Sequence, residues 1–339
     1  MPDFKPLIVS SQAMYELLVQ PNFADIVLGT EKIPGALGEF TVMDDVSSKR
    51  RIIDIIGNRN IFKRRDASCN IEFTPLAKGS SRVIETDPIY GATLQCDNEF
   101  YQGCLEDFRS QSQKFRDFIM VFFEKAIKVD LDSNAYFGDI TRSDDPACLW
   151  SWNIFDGIFK KYAKYISNGT IPAAQVSAIP SGAITPAQAF QTLQWLVDNR
   201  NVILKSLPVT EQAIYVSGDL YYGYWKYLQN IGGAYNIGLY TNGLPKLAID
   251  GIEIVLEPTW LPVMTSLNGG NNANAAILTI RGNFLFATDK TYGDGPYLNE
   301  ALSVWYSLDD RVWKYYMCMR AGTEIALPEH SVIAMTAIS

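Results

Sequence analysis

The sequence predicts an α+β chain in which one long helix separates two strand-rich regions, and three observations carry that expectation. Residues 105–128, LEDFRSQSQKFRDFIMVFFEKAIK, place Leu105, Phe108, Phe115, Phe118, Ile119, Phe122, Ala126 and Ile127 on one helical face. Polar and charged residues from Glu106 to Lys128 fill the other face, and no Pro or Gly interrupts the run. Before this helix, residues 39–100 are extended in character. After it comes a mixed middle and then strands again. The third observation is LAIDGIEIVL at 247–256, where Asp250-Gly251 between two alternating apolar runs predicts a hairpin with a type I′ turn.

Taken in order, residues 11–29 hold a short helical pattern (Met14, Leu17, Leu18) stopped at Pro21, and 31–38 read as a linker with Pro34, Gly35 and Gly38. In 39–100 the strand-like residues are Phe40, Val42, Ile52, Ile53, Ile55 and Ile56, then 69–73 and 89–96, with a turn at Gly57-Asn58 and a flexible loop at 77–81. Residues 44–66 hold Lys49, Arg50, Arg51, Arg59, Lys63, Arg64 and Arg65 against four Asp, a local charge of +3 in a chain of net charge -8. Such a segment is either a solvated loop or one that docks on an acidic neighbour.

Beyond the long helix, 129–145 is expected to be a polar turn region. Asp130, Asp132 and Asn134 have the spacing of a calcium loop, but Ala135 stands where Gly is required and Thr141 where Glu is required, so calcium binding of that kind is rejected. A second amphipathic helix is expected at 152–167, ended by Asn168-Gly169. A third runs from Pro186 to about Lys205, with Thr185 at the N-cap, Pro186 at N1 and Gln188 at N3. Residues 211–217 give a short strand, and Ser217 is placed to cap a helix over 219–229. Residues 267–274 read as a loop, and 275–289 as a buried strand broken at Arg281-Gly282-Asn283. Residues 302–308 and 311–319 form two strands that pair around Asp309-Asp310, with Phe115, Phe118, Ile119 and Phe122 of the long helix covering their apolar side. Short strands at 323–327 and 332–335 complete the pattern.

Composition narrows the chemistry. Apolar content of 47% supplies a sizeable core, and net charge of -8 gives no electrostatic case for wrapping nucleic acid directly. The first residues lack the features of a signal peptide, and no apolar run is long enough to span a bilayer. Five cysteines at irregular spacing, without CxxC, read as reduced thiols of a cytosolic protein. A Ser-His-Asp triad or a His-rich zinc site would have to use His330 alone. No glycine-rich phosphate loop and no nucleophile elbow occurs. The carboxylate pairs Asp44/Asp45, Asp144/Asp145 and Asp309/Asp310 are adjacent and turn-like. The residues therefore point to no catalytic, cofactor or metal site.

The order of elements, together with YFGD at 136–139, FDGI at 155–158, AIYVS at 213–217, LAIDGIEIVLEPTWLP at 247–262 and RAGTEIALPEHSVIA at 320–334, resembles the major capsid proteins of tailed bacteriophages. The resemblance implies their Hong Kong 97-like (Johnson) fold. It implies an N-terminal arm at 1–37 and an extended loop at 38–100. It also implies a peripheral domain at 101–149 and 275–339, with a spine helix at 105–128, and an axial domain at 150–274. No coiled, scaffolding-like segment precedes the arm, which departs from the family pattern. The implied function is a self-assembling icosahedral shell in the virion, formed in the bacterial host cytoplasm. Its hexamers and pentamers would enclose double-stranded DNA without sequence readout, with scaffolding, portal and decoration proteins as further partners and no membrane. Lys49, Arg50, Arg51, Lys63, Arg64 and Arg65 would then meet Asp309 and Asp310 of a neighbouring subunit. The alternatives are an encapsulin-type nanocompartment shell, which shares the fold, and an unrelated α/β enzyme or binding module.

Overall fold

A computed structural model describes residues 39–43, 46–57, 77–96, 129–142, 152–231, 240–241, 244–289, 302–307 and 312–336. In chain order the strands are β1 (Thr41–Met43), β2 (Lys49–Gly57), β3 (Ala77–Glu85), β4 (Asp87–Cys96), β5 (Val176–Ala178), β6 (Gln212–Val216), β7 (Tyr240–Thr241) and β8 (Leu244–Pro245). They continue as β9 (Leu247–Ile249), β10 (Ile252–Leu256), β11 (Ala275–Ile280), β12 (Phe284–Thr288), β13 (Leu302–Ser307), β14 (Val312–Ile325) and β15 (Val332–Met335). The helices are α1 (129–137), α2 (Ile158–Ser167), α3 (Pro186–Asp198), α4 (Val202–Ser206), α5 (Gly218–Asn230) and α6 (Trp260–Leu267).

The centre is a six-stranded mixed sheet in the order β5-β15-β11-β6-β10-β9. Its strands are apolar at nearly every position because both faces are covered. On β6, Ala213 and Tyr215 face one core while Ile214 and Val216 face the other. Ala275 and Ile277 of β11 alternate with Ala276 and Leu278 in the same way. One face packs against α3 and α5 through Leu193, Leu196, Leu220 and Tyr224. The other meets α1, α2 and α6 and a second sheet through Tyr136, Phe155, Ile158, Trp260 and Phe284. Phe284 is the hub of that second core, with the rings of Phe40, Tyr136, Tyr162 and Tyr215 at 5.1–6.4 Å.

The second sheet runs β1-β12-β14-β13, with β4 also paired to β14. The long strand β14 organises it. Val312–Met317 pair antiparallel with β13, Ala321–Ile325 with β12, and Val312–Ala321 with β4. β11 and β12 are separated only by the turn at Arg281–Asn283, yet they belong to different sheets. Asn283 fixes that crossover: its side chain bonds Thr279, Leu327 N and Leu327 O.

Several expected elements stand as read. β9 and β10 pair with Ile249 opposite Ile252, and Asp250 (φ 48°) and Gly251 (φ 79°) adopt the left-handed conformations that a two-residue hairpin turn requires. Thr185 and Gln188 form a full capping box on α3, a motif worth about 1 kcal/mol. The closing strands β13 and β14 pair with Ser307 opposite Val312. Others need correction. Residues 129–137 are helical instead of a turn, because Leu131, Ala135 and Tyr136 at helical spacing are buried in the core. Residues 77–81 are strand, since β2 supplies their partner along the whole length. The second helix begins only at Ile158, with Gly157 extended as its N-cap. The third breaks at Asn199–Asn201, where Asn201 caps the short α4. Residues 260–267, to which the sequence reading assigned no helix, form α6; Pro262 falls in its first turn, where no backbone donor is needed. Residues 323–325 are the end of β14 and not a separate strand. The long helix at 105–128, the arm at 1–37 and the packing of the closing strands on that helix lie outside the described residues.

Candidate assembly surfaces

The most distinctive surface is the antiparallel ribbon of β2 and β3. It is paired in unbroken register from Lys49 opposite Glu85 to Gly57 opposite Ala77. The ribbon belongs to neither main sheet. After a single residue, Thr86, its second strand continues into β4, which pairs with β14. One extended stretch of chain, 77–96, thus changes partner halfway along its length.

The change of partner is fixed at the ribbon's base. Thr86 Oγ1 donates to Val46 O at 3.1 Å, and Arg320 Nη2 donates to Thr86 O at 2.8 Å. Gly322 of β14 lies beneath this point: a Cβ there would sit 2.0 Å from Glu85 O, so only Gly allows the two backbones to approach. Arg82, on the ribbon, reaches into the body. It donates to the Ala326 carbonyl, pairs with Glu329 at 2.6 Å and lies 5.8 Å from the centre of the Tyr165 ring. Tyr165 in turn donates to Glu324, which also pairs with Lys161 at 3.4 Å. Burial, and the Glu324 carboxylate next to it, hold the Tyr165 hydroxyl far above the usual tyrosine range. Ile84, fully buried, completes the base in a small apolar cluster with Val46, Leu285 and Ala287.

The charged residues singled out from sequence are placed unevenly. Lys49 and Arg50 lie exposed on β2, close to the base. Lys49 Nζ meets Glu85 Oε1 at 2.7 Å across the ribbon, and this contact holds the exposed Glu85 carboxyl below its usual range. Arg51 follows on the same strand, with its backbone paired to Val83. Lys63, Arg64, Arg65, Asp309 and Asp310 lie outside the described residues. The structure therefore brings Lys49, Arg50 and Arg51 together on one strand and does not show them against the acidic tip.

Two exposed apolar surfaces escaped the sequence reading. On the β4–β14 face, Tyr90 and Leu94 are exposed, and the Tyr90 ring stacks on Tyr316 at 6.3 Å. At the far end of the six-stranded sheet, Val202, Ile203 and Val209 protrude around α4; Val202 is 84% exposed. Sequence offered a faint signal for the second: VIL directly after the capping residue Asn201 puts two apolar residues on the outer side of a one-turn helix.

A cavity of about 310 Å³ lies beside the edge strand β5, lined by Ile179, Pro180, Ile184, Gln188 and Trp195 among others. Among the described residues no group of three or more His, Cys, Asp or Glu is placed to hold a metal ion. No described helix is long and apolar enough to cross a membrane.

No family model matches the chain, and no curated protein matches it. Solved structures do. A chain of the satellite phage P4 procapsid including size determination (Sid) protein aligns over 96% of this chain and 98% of its own, with TM-score 0.57 and 13% identity. A chain from Mycobacterium phage Ogopogo aligns over 91% and 94%, with TM-score 0.50 and 10% identity. The SrpI encapsulin of Synechococcus elongatus PCC 7942 aligns over 88% and 85%, with TM-score 0.48 and 10% identity. The α+β, Hong Kong 97-like fold expected from the order of elements is the fold this chain has.

Proposed function

We propose that this chain is the repeating subunit of an icosahedral shell, the major capsid protein of a tailed bacteriophage, enclosing double-stranded DNA in the virion. The observation that carries the proposal is the end-to-end match of the fold to a procapsid chain, spanning nearly all of both. The ribbon supports it. An unbroken two-stranded ribbon, paired to neither main sheet and clamped at its base by Arg82, Arg320 and Gly322, is suited to reach a neighbouring copy at a fixed angle.

On this reading the chain divides into an arm at 1–37, the ribbon region at 38–100, a peripheral part at 101–149 and 275–339, and an axial part at 150–274. The six-stranded sheet ties the last two together, since β11 and β15 come from 275–339. Copies would assemble as hexamers and pentamers, with scaffolding, portal and decoration proteins as further partners. Packaged DNA would be contained through contacts to its phosphates, without sequence readout, so no basic net charge is required of the subunit. The subunit would act as a structural protein without catalysis. Lys49, Arg50, Arg51, Lys63, Arg64 and Arg65 would face Asp309 and Asp310 of the next copy. Since Lys49 is already engaged by Glu85, it would contribute least.

Shortening the ribbon tests the reading. Deleting residues 55–75 is expected to leave circular dichroism and cooperative melting intact while abolishing particle formation. Loss of the cooperative transition would place the segment in the core of the subunit and overturn this part of the proposal.

A further inference from the structure

Two carboxylic acids lie in the aromatic core beside Trp260, and among the described residues no cation pairs with either. Asp132, on α1, is 1% exposed, and neither of its carboxylate oxygens has a hydrogen-bond partner. Glu257, between β10 and α6, is equally buried, and its Oε2 has none. Tyr136 stands one helical turn after Asp132, fully buried, with its ring 5.2 Å from that of Trp260 and its hydroxyl unpartnered. The Trp260 indole nitrogen and the Thr259 hydroxyl at the start of α6 are likewise without partners.

Among the described residues, the groups facing this site come from α1, β6 and the segments just before α6 and β1. They are Asp132 and Tyr136 on α1, Glu257 and Thr259 before α6, Tyr215 on β6, and Glu39, which accepts a hydrogen bond from Tyr215 at 3.2 Å. All the titratable members are acids. Arg281 influences Tyr215 but does not act on either carboxyl. Two buried carboxylates whose charges act on each other, with no counter-charge among the described residues, cannot both stay ionised away from water. Burial pushes Asp132 up to about 7 against the lowering influence of Thr259. Burial, and then the charges of Asp132 and Glu39, push Glu257 well above the usual carboxylate range, against the lowering influence of the nearby Tyr136 hydroxyl.

We propose that Asp132 and Glu257 form a proton-held joint between α1 and the start of α6, closed while both carboxyls are protonated and loosened when they ionise. As neutral acids they can donate hydrogen bonds to the neighbouring unpartnered oxygens. As anions they repel each other and draw in water. The inference concerns the folded subunit and stands apart from the shell reading.

Each acid binds its proton more tightly folded than unfolded. The stability it contributes is therefore fully present below its ordinary value and lost as pH rises toward the folded one. For Asp132 that window runs from 3.8 to about 7. For Glu257 it begins at 4.5 and extends further. Between 4.5 and about 7, unfolding should release about two protons, a rise of about a hundredfold in the unfolding constant per pH unit. Asp132→Asn should reduce this to about tenfold per pH unit and leave the variant more stable than wild type at neutral pH.

The test uses the full chain. Denaturant unfolding of wild type, Asp132→Asn and Glu257→Gln across this window is expected to give the steep slope for wild type and the shallower one for each variant. Infrared spectra of wild type at neutral pH should carry the carbonyl stretch of protonated carboxyl groups, weakened in each variant. Amide hydrogen exchange of 129–137, relative to that of 186–198, should accelerate as wild type passes to mildly alkaline pH. Absence of a protonated-carboxyl band, a variant slope equal to that of wild type, or unchanged relative exchange of 129–137 would overturn the proposal. So would stabilisation of wild type, but not of Asp132→Asn, by magnesium or calcium, which would make the pair a cation site. Should either variant fail to fold, the wild-type infrared titration decides alone.

Discussion

Arg82 and Asp132 are both ionisable side chains taken largely out of water, and their surroundings are opposites. The Arg82 side chain keeps 19% exposure and is matched on three sides, by the Ala326 carbonyl, the Glu329 carboxylate and the face of Tyr165. Asp132 is 1% exposed and has no partner. The first arrangement holds a surface element, the ribbon, at a set angle while its charge stays on. The second is compatible with a packed core only if the charge is off. Compensated carboxylates occur both at the ribbon base and elsewhere on the surface, as in the Lys160–Asp139 and Arg281–Glu253 pairs. On the proposal above, proton uptake takes the place of such compensation at Asp132 and Glu257.

The base of the ribbon offers the largest contrast. Gly322→Val should destabilise the protein by about 3 kcal/mol, because the new side chain meets Glu85 backbone that cannot give way. Thermal or denaturant melting measures this, and near-neutral behaviour would mean that the ribbon base is free to shift. Arg82→Ala should cost less, about 1–3 kcal/mol, since Glu329 is left without its partner but keeps partial access to water. Tyr136→Phe should cost about 0.5–1.5 kcal/mol at mildly acidic pH, because it removes a buried hydroxyl that the protonated acids can hydrogen-bond. No measurable loss would show that the hydroxyl takes no part in the protonated joint. Smallest of all, Lys49→Gln should leave melting unchanged, because the Lys49–Glu85 pair is exposed on both sides.

The same contrast shapes the pH profile. Against the burial that raises them, Lys160 and Thr141 hold Asp139 low, and Arg281 and Lys246 hold Glu253 low. Those contributions are present above the ordinary carboxylate values and lost as pH falls through the depressed ones. The buried pair behaves in the reverse sense. Stability should therefore peak on the acid side of neutrality.

What could be read from sequence divides along physical lines. The β9–β10 hairpin, the capping box on α3 and the β13–β14 pair were legible because adjacent residues determine them: Asp250-Gly251 sets a turn, Thr185 and Gln188 satisfy each other, and two alternating runs meet across a short connection. α1 was read as a turn because Asp132, Ser133 and Asn134 are polar, and burial of such residues depends on helices distant in sequence. The residues that mark it, Leu131, Ala135 and Tyr136, were present at helical spacing. β3 was read as a loop because AKGSS has no intrinsic strand preference; β2 imposes the conformation. The splitting of β11 and β12 between two sheets left no local trace except the polar turn around Asn283. Of the contact residues, Lys49, Arg50 and Arg51 were read as part of a charged loop and lie instead on the strand β2, whose partner β3 begins only beyond residues 58–76. The ties of the ribbon base through Arg82, Arg320 and Gly322 span more than two hundred residues and could not be paired from sequence.

Electron microscopy of the purified full chain, alone and co-expressed with a scaffolding protein, is the most direct test of the central claim. Closed shells, or capsomer-sized rings that close on addition of the scaffold, are the expected result. A chain that stays monomeric at high concentration under both conditions would contradict the assignment of this fold to shell assembly.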